Sequence, residues 1–252
     1  MINHKKLPHP LPVMSLQVTP FSSYHHACDC VEVLIESGQK AYSVAINPEK
    51  IYKADHDRAL ANVINSAQIF ICDGIGTVLA VRMLHGRPIK RITGVALFYE
   101  LIKKAFEKGW KVYLLGASSE SNKRAYDTLL ANYSGLLIVG RHDGYFKDSN
   151  KVIEDINRSE ADILFVAMGS PKQELWIAEN WDMINATFCM GVGGTFDIVS
   201  GKTKWAPAIC RETGTEWLFR LLSEPRRWRR QLALPKFVWL LLKLKFPTFL
   251  GR

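Results

Sequence analysis

The chain has 252 residues, 48% of them hydrophobic, and a formal net charge of +9. That suits one sizeable α/β domain, alone or with an appendage, and no internal repeat or low-complexity tract suggests an array. The charge is uneven: residues 201–252 hold 12 Lys or Arg against 3 Asp or Glu, and the preceding 200 residues are balanced at 21 of each.

The basic character therefore belongs to the C-terminal segment, which points to a polyanion or an anionic membrane surface. Met1 to Pro12 is polar and lacks the apolar core of a signal peptide. The cysteines Cys28, Cys30, Cys72, Cys189 and Cys210 form no CxxC pair and are odd in number. A reduced, cytosolic protein with buried thiols is the expectation.

In chain order, Ser15 to Val18 predicts a short strand, Tyr24 to Ser37 a helix and Tyr42 to Ile46 a strand that runs into Asn47-Pro48. Pro48 opens a helix that continues from Ile51 to Ala67. Asp55-His56-Asp57 lies within it, and carboxylates two residues apart point to different faces, so the triplet reads as solvated surface. Ile69 to Cys72 predicts a buried strand, broken by Asp73-Gly74, with helical spacing from Thr77 to His85. A carboxylate at the C-terminal end of such a strand lies where open α/β sheets bind ligands. Asp before Gly also shapes turns and caps helices, so Asp73 alone leaves both readings open.

Thr93 or Gly94 starts a helix over Val95 to Lys108, ended by Gly109. Trp110 to Leu115 predicts a strand, Glu120 to Tyr133 a helix and Leu136 to Gly140 a strand. Asp148 or Ser149 caps a helix ending near Arg158, and Ala161 to Met168 is the most strand-like segment. It runs into Gly169-Ser170-Pro171-Lys172-Gln173-Glu174, where a helix starting at Pro171 offers backbone N–H groups to a phosphate. Gln173 and Glu174 add side chains able to fix hydroxyls or an amide. Thr187 to Met190 is the last core strand. It leads into Gly191-Val192-Gly193-Gly194-Thr195-Phe196-Asp197, whose glycines allow close backbone approach. The repeated strand, turn, helix order implies a doubly wound, largely parallel, Rossmann-like α/β sheet over residues 1–205. No early glycine fingerprint supports a nucleotide-cofactor oxidoreductase.

Residues 206–252 predict a helical basic appendage. Glu216 to Ser223 is amphipathic and carries Arg220. Arg226 to Arg230, Trp228, Trp239 and Leu240 to Leu242 fit an interfacial helix on anionic lipid, and the apolar run is too short to span a bilayer. Packing on the domain, or on a second subunit, is the bland reading of the same pattern; nucleic acid ranks below the membrane.

The segments Ile71-Cys72-Asp73-Gly74, Asp143-Gly144-Tyr145-Phe146, Ala167 to Glu174 and Met190 to Asp197 resemble the WecG/TagA/CpsF family of bacterial glycosyltransferases, and Glu216 to Pro225 extends the likeness into the tail. The likeness runs from about Tyr42 to the C-terminus. It is nearest to the branch that moves N-acetylmannosaminuronic acid from its UDP-sugar to undecaprenyl-diphosphate-GlcNAc in enterobacterial common antigen synthesis. The resemblance implies Asp73 as the base and Asn47, Arg91, Gln173 and Asp197 as pocket residues. It implies Arg220, Arg227 and Arg230 as contacts to the lipid diphosphate. Gly94, Gly169, Ser170, Glu174, Gly193, Gly194 and Thr195 complete the expected substrate-binding set. Where the family usually has Thr, this chain has Ala45.

The expectation is an inverting UDP-sugar-dependent transferase, peripheral on the inner face of the cytoplasmic membrane. Its partners are a UDP-sugar donor, a polyprenyl-diphosphate-linked acceptor and an anionic membrane surface, not nucleic acid; a homo-oligomer is left open. No cofactor and no obligatory metal ion are expected. The alternatives are transfer of another UDP-sugar, such as N-acetylmannosamine or glucose, and a non-enzymatic basic protein bound to the membrane surface.

Overall fold

Five strands of the main sheet carry near-continuous apolar runs buried on both faces, as parallel strands require, while the sixth, Ile138–His142 at the edge, is partly exposed. The computed structural model describes residues 6–225 and 228–246, without the side chains of 229 and 230. In chain order the elements are β1 (Leu11–Val13), β2 (Leu16–Val18), α1 (Tyr24–Ser37), β3 (Ala41–Ile46), α2 (Pro48–His56), α3 (Arg58–Asn65), β4 (Ile69–Cys72), α4 (Ile75–His85) and α5 (Gly94–Lys108). There follow β5 (Val112–Gly116), α6 (Ser119–Asn132), β6 (Ile138–His142), α7 (Ser149–Arg158), β7 (Ile163–Ala167), α8 (Lys172–Asn180), β8 (Phe188–Gly191) and α9 (Thr195–Val199). The tail holds α10 (Ala208–Thr213), α11 (Glu216–Ser223), α12 (Trp228–Gln231) and α13 (Ala233–Lys245).

The main sheet has the order β4-β3-β8-β7-β5-β6, and every pair in it is parallel. Side chains alternate between two cores. In β7, Leu164 and Val166 enter one apolar cluster with Trp176 and Ile177 of α8, while Ile163 and Phe165 enter the other with Phe98 of α5 and Phe196 of α9. The predicted doubly wound α/β fold is the observed one.

Local chemistry sets the element ends. The Ser23 side chain accepts from the His26 N–H, and Gly38, left-handed at φ 68°, ends α1. The predicted single helix over 51–67 is two helices, because Asp57 turns extended and its Oδ1 accepts from the Leu60 N–H at 3.0 Å. Asp55 and Asp57 are exposed, as expected, but Asp57 caps α3 rather than lying within a helix. Pro12 hides β1 in the sequence; the strand pairs antiparallel with β2. Trp110 precedes its strand rather than joining it; its backbone N–H closes the end of α5 on Ala105. Pro171 stands at the cap of α8, one residue before the helix.

The appendage is docked on the body. Phe237 and Leu241 of α13 enter the cluster that also holds Ile51 and Ala54 of α2. Burying each is worth about 1.5–3 kcal/mol. Leu241, expected as a membrane anchor, therefore faces the core, whereas Trp239 is 52% exposed. The cysteines are free, and four of the five are buried. Burial pushes the Cys28 and Cys72 thiols up to about 12 and Cys30 up to about 11, which leaves them protonated at neutral pH.

Candidate active site

The carboxyl ends of β4, β3, β8 and β7 lie side by side, and each runs into one of the predicted site segments. Asp73 follows β4, Asn47 follows β3, Gly193 to Asp197 follow β8, and Gly169 to Glu174 follow β7. The chain leaves β3 toward β4 and reaches β8 from β7. Winding thus reverses between β3 and β8, where an open α/β sheet leaves a crevice for a ligand.

Asp73 is fixed through its backbone. Its N–H donates to the Ile46 carbonyl at 2.9 Å. The Thr77 hydroxyl reaches the carbonyls of Ile46 and Asp73, each at 3.2 Å. A Cβ at Gly76 would stand 2.6 Å from Pro48 Cγ, so only glycine lets α4 begin this close to α2. Asp73 is half-buried, and the loss of water around its carboxyl is the main cause that pushes it above the usual carboxylate range. Arg220 pulls it down, Glu216 pushes it further up, and Arg91 and Lys50 pull it down; burial prevails. A carboxyl held this way is a stronger base than an exposed one.

A second group joins three strand ends. Asn47 caps α2, its Oδ1 accepting from the Lys50 N–H at 2.9 Å. Lys50 Nζ lies 2.7 Å from Glu174 Oε1, with side chains only 7% and 2% exposed. The same oxygen accepts from Gln173 Nε2 at 3.1 Å, and Gln173 Oε1 accepts from the Gly193 N–H at 2.9 Å. Gly191 makes room: a Cβ there would meet Gln173 Nε2 at 2.6 Å. Gln173 and Glu174 are thus buried and bonded to the protein, bracing the glycine loop after β8. A Cβ added at Gly169, Gly193 or Gly194 would meet nothing within 4 Å, so those loops border open space.

The third group joins body and appendage. The Ile92 N–H donates to the Cys72 carbonyl at 2.9 Å, which holds Arg91 beside Asp73. Arg91 Nη1 donates to Glu216 Oε2 of α11 at 3.0 Å, and Nη2 donates to the Arg211 carbonyl of α10. Gly214, in the turn between α10 and α11, packs on Ile75 at the start of α4. Arg220 of α11 acts on the Asp73 carboxyl. Arg227 and the Arg230 side chain lie outside the described residues.

The remaining predicted residues are placed less centrally. Gly94 opens α5. Ser170 is exposed and, with Asn47 and Lys50, lines a small cleft. Thr195 gives its hydroxyl to the Val192 carbonyl at 2.6 Å. Asp197 lies 3.6 Å from Lys202 Nζ and is not among the charges that act on Asp73. Ala45 packs toward the α1 and α5 side of the sheet. The Asp143 motif forms a turn, its Oδ1 accepting from the Tyr145 N–H, while Lys172 Nζ donates to the Gly144 carbonyl. Among the described residues no group of three or more His, Cys, Asp or Glu gathers as a metal-ligand set.

Sequence reasoning missed Lys50 and Glu216. Lys50 carried a signal, because a cation in the first turn of a helix opposes the helix dipole and calls for a compensating anion. Glu216 carried none beyond its place in the family motif.

The profile of the Glycosyl transferase WecG/TagA/CpsF family matches residues 11–249. An N-acetylglucosaminyldiphosphoundecaprenol N-acetyl-beta-D-mannosaminyltransferase of Bacillus spizizenii is 35% identical over 210 residues, 83% of this chain and 81% of the relative. The Bacillus subtilis protein of the same name is 32% identical over 238 residues, 93% of this chain and 90% of the relative. A match of that length, on a chain whose motifs meet at one edge of a parallel sheet, shows that the protein belongs to the WecG/TagA/CpsF family of glycosyltransferases.

Proposed function

We propose that the protein transfers an N-acetylmannosamine-type sugar from a UDP donor to GlcNAc carried on undecaprenyl diphosphate. The observation that carries the chemistry is Asp73, a carboxyl made basic by burial at the end of β4 and faced by Lys50, Arg91 and Arg220. Asp73 takes the proton of the acceptor hydroxyl as its oxygen attacks the anomeric carbon. The UDP leaves from the opposite side, which inverts that centre. Charge growing on the departing diphosphate is met by Arg91, and the Gly169 and Gly193–Gly194 loops leave room for it, while Arg220 is left to the lipid diphosphate of the acceptor. The acceptor class comes from the names of the two relatives.

The donor is the point of choice. Motif likeness suggests N-acetylmannosaminuronic acid, whereas the relatives' names give N-acetylmannosamine. The neutral sugar is the donor those names support. The test is transfer to undecaprenyl-diphosphate-GlcNAc from UDP-N-acetylmannosamine and from UDP-N-acetylmannosaminuronic acid, side by side. Turnover with the first donor alone is expected; turnover with the second alone reverses the donor assignment, and turnover with neither overturns the reading.

The acceptor's lipid makes a membrane surface the place of action, peripheral on its cytoplasmic face. Among the described residues no helix is long and apolar enough to cross a membrane. The appendage exposes Leu222, Trp228, Leu232, Val238, Trp239 and Leu244. Apolar side chains beside a basic segment are suited to an interfacial position on anionic lipid.

A further inference from the structure

Among the described residues the Arg91 guanidinium is hydrogen-bonded to the appendage. Nη1 donates to Glu216 Oε2 and Nη2 to the Arg211 carbonyl, one contact from α11 and one from α10. The pair is sheltered, with Arg91 16% and Glu216 12% exposed at their side chains. It lies beside Asp73 by two independent contacts. The Ile92 N–H to Cys72 carbonyl bond ties the residue after Arg91 to the residue before Asp73. The Gly214 to Ile75 contact sets the turn before α11 on the first residue of α4, two places after Asp73.

We propose that Glu216 is a positioning residue for the transfer reaction: through Arg91 it sets where that guanidinium points and fixes α10 and α11 over the strand ends. This rests on the reading that Arg91 meets the donor's diphosphate. A guanidinium is planar and presents its donors in a fixed fork, so two anchors on its terminal nitrogens determine its orientation. With both anchors present, the remaining N–H groups of Arg91 are aimed without further loss of rotamer freedom when the donor arrives. Without Glu216, Arg91 keeps one anchor, and a free carbonyl does not fix a fork.

Glu216 also acts on the base. The charges that face the Asp73 carboxyl are Arg220 and Glu216 from α11, Arg91 from the loop before α5, and Lys50 from α2. Glu216 alone among them is negative. Loss of its charge therefore leaves Asp73 ionising at lower pH.

Two substitutions separate aim from charge. Glu216→Gln keeps an oxygen that accepts from Arg91 but removes the charge; Glu216→Ala removes both. UDP binding by calorimetry and transfer across a pH series are measured on the full chain. The expected result is UDP binding weakened about tenfold in Glu216→Ala and within about twofold of wild type in Glu216→Gln. The rising limb of the Glu216→Gln pH profile moves to lower pH, and its plateau kcat falls. Equal behaviour of the two variants in UDP binding, or an unmoved limb, overturns the proposal even where both melt below wild type. A wild-type protein that binds no UDP and transfers no sugar overturns the proposed function itself, and the role of Glu216 with it.

Discussion

Replacing Asp73 by Asn is expected to separate stability from activity. Asn keeps the size and hydrogen-bonding reach of Asp but cannot accept the acceptor's proton. Loss of a general base lowers kcat by about 10²–10⁴. Stability should move the other way. The folded carboxyl titrates above its unfolded value, with burial as the main cause and the opposing pull of Arg220, Arg91 and Lys50 already included. Such a group stabilises the fold while it is protonated, and that stability is lost as pH rises through the folded pKa. Below the ordinary aspartate range both states hold the proton, and the substitution changes little. At neutral pH each unit of upward displacement is worth about 1.4 kcal/mol. For a chain of this size that corresponds to about 3–6 °C in melting temperature per unit. Melting curves of both proteins at pH 4 and pH 8, with transfer assays at pH 8, test this. An Asp73→Asn variant that melts above wild type at pH 8, with a gap that closes at pH 4, is the expected outcome. A variant that melts lower at pH 8 makes Asp73 a stabilising ion-pair partner and removes the physical basis for its basicity. Turnover within a few-fold of wild type removes it from the role of base.

Lys50→Met should destabilise by about 3–5 kcal/mol, because it leaves Glu174 charged, buried and without its cation. Lys50→Met with Glu174→Gln should recover much of that loss in urea unfolding, which distinguishes a broken pair from a lost packing contact. Gly191→Ala should push Gln173 off the Gly193 N–H and weaken UDP binding with a smaller effect on melting, since the new Cβ meets the end of a side chain rather than backbone. Transfer is expected to survive EDTA, because Arg91 offers positive charge to the diphosphate; a strict need for added Mg²⁺ or Mn²⁺ turns attention to Asp197 and to Asp55 with Asp57. Trp239→Ser with Val238→Ser should reduce flotation with anionic liposomes at unchanged melting temperature, since both side chains are about half exposed.

The elements legible in the sequence were those whose signals are local. Ser23 and Gly38 delimit α1, Asp148 starts α7 through the N–H groups of Asn150 and Lys151, and the apolar runs of β3, β4, β7 and β8 need no partner to be recognised. The split between α2 and α3 was hidden because Asp57 reads equally well as helix surface and as cap. The strand ends could be placed, and with them Asp73, Asn47 and the glycine loops. What those residues face could not. Lys50 meets a residue 124 positions away and Arg91 one 125 away, and no local pattern records such a distance. The docking of α13 was hidden for a related reason: its apolar residues suit a membrane as well as a protein core, and only the packing of Phe237 and Leu241 on α2 separates the two faces.

The two long-range pairs resolve a conflict built into the chemistry. A diphosphate leaving group calls for cations beside the anomeric carbon, yet cations beside a carboxyl lower its pKa and make it a poorer base. Unpaired Lys50 and Arg91 would have that second effect on Asp73. The fold places Glu174 on Lys50 and Glu216 on Arg91, each carboxylate engaging its cation at 3.0 Å or less. Of these two carboxylates Glu216 also acts on Asp73 itself, against the pull of Arg220, Arg91 and Lys50, while the N–H groups of Arg91 stay at the site. Burial then prevails, and the carboxyl keeps a raised pKa in the presence of three cations. The pairs come from α8 and α11, two helices outside the β4 segment that carries the base. Basicity at Asp73 is thus a property of the assembled strand ends together with the docked appendage, and an isolated body lacking α11 should titrate Asp73 differently from the full chain.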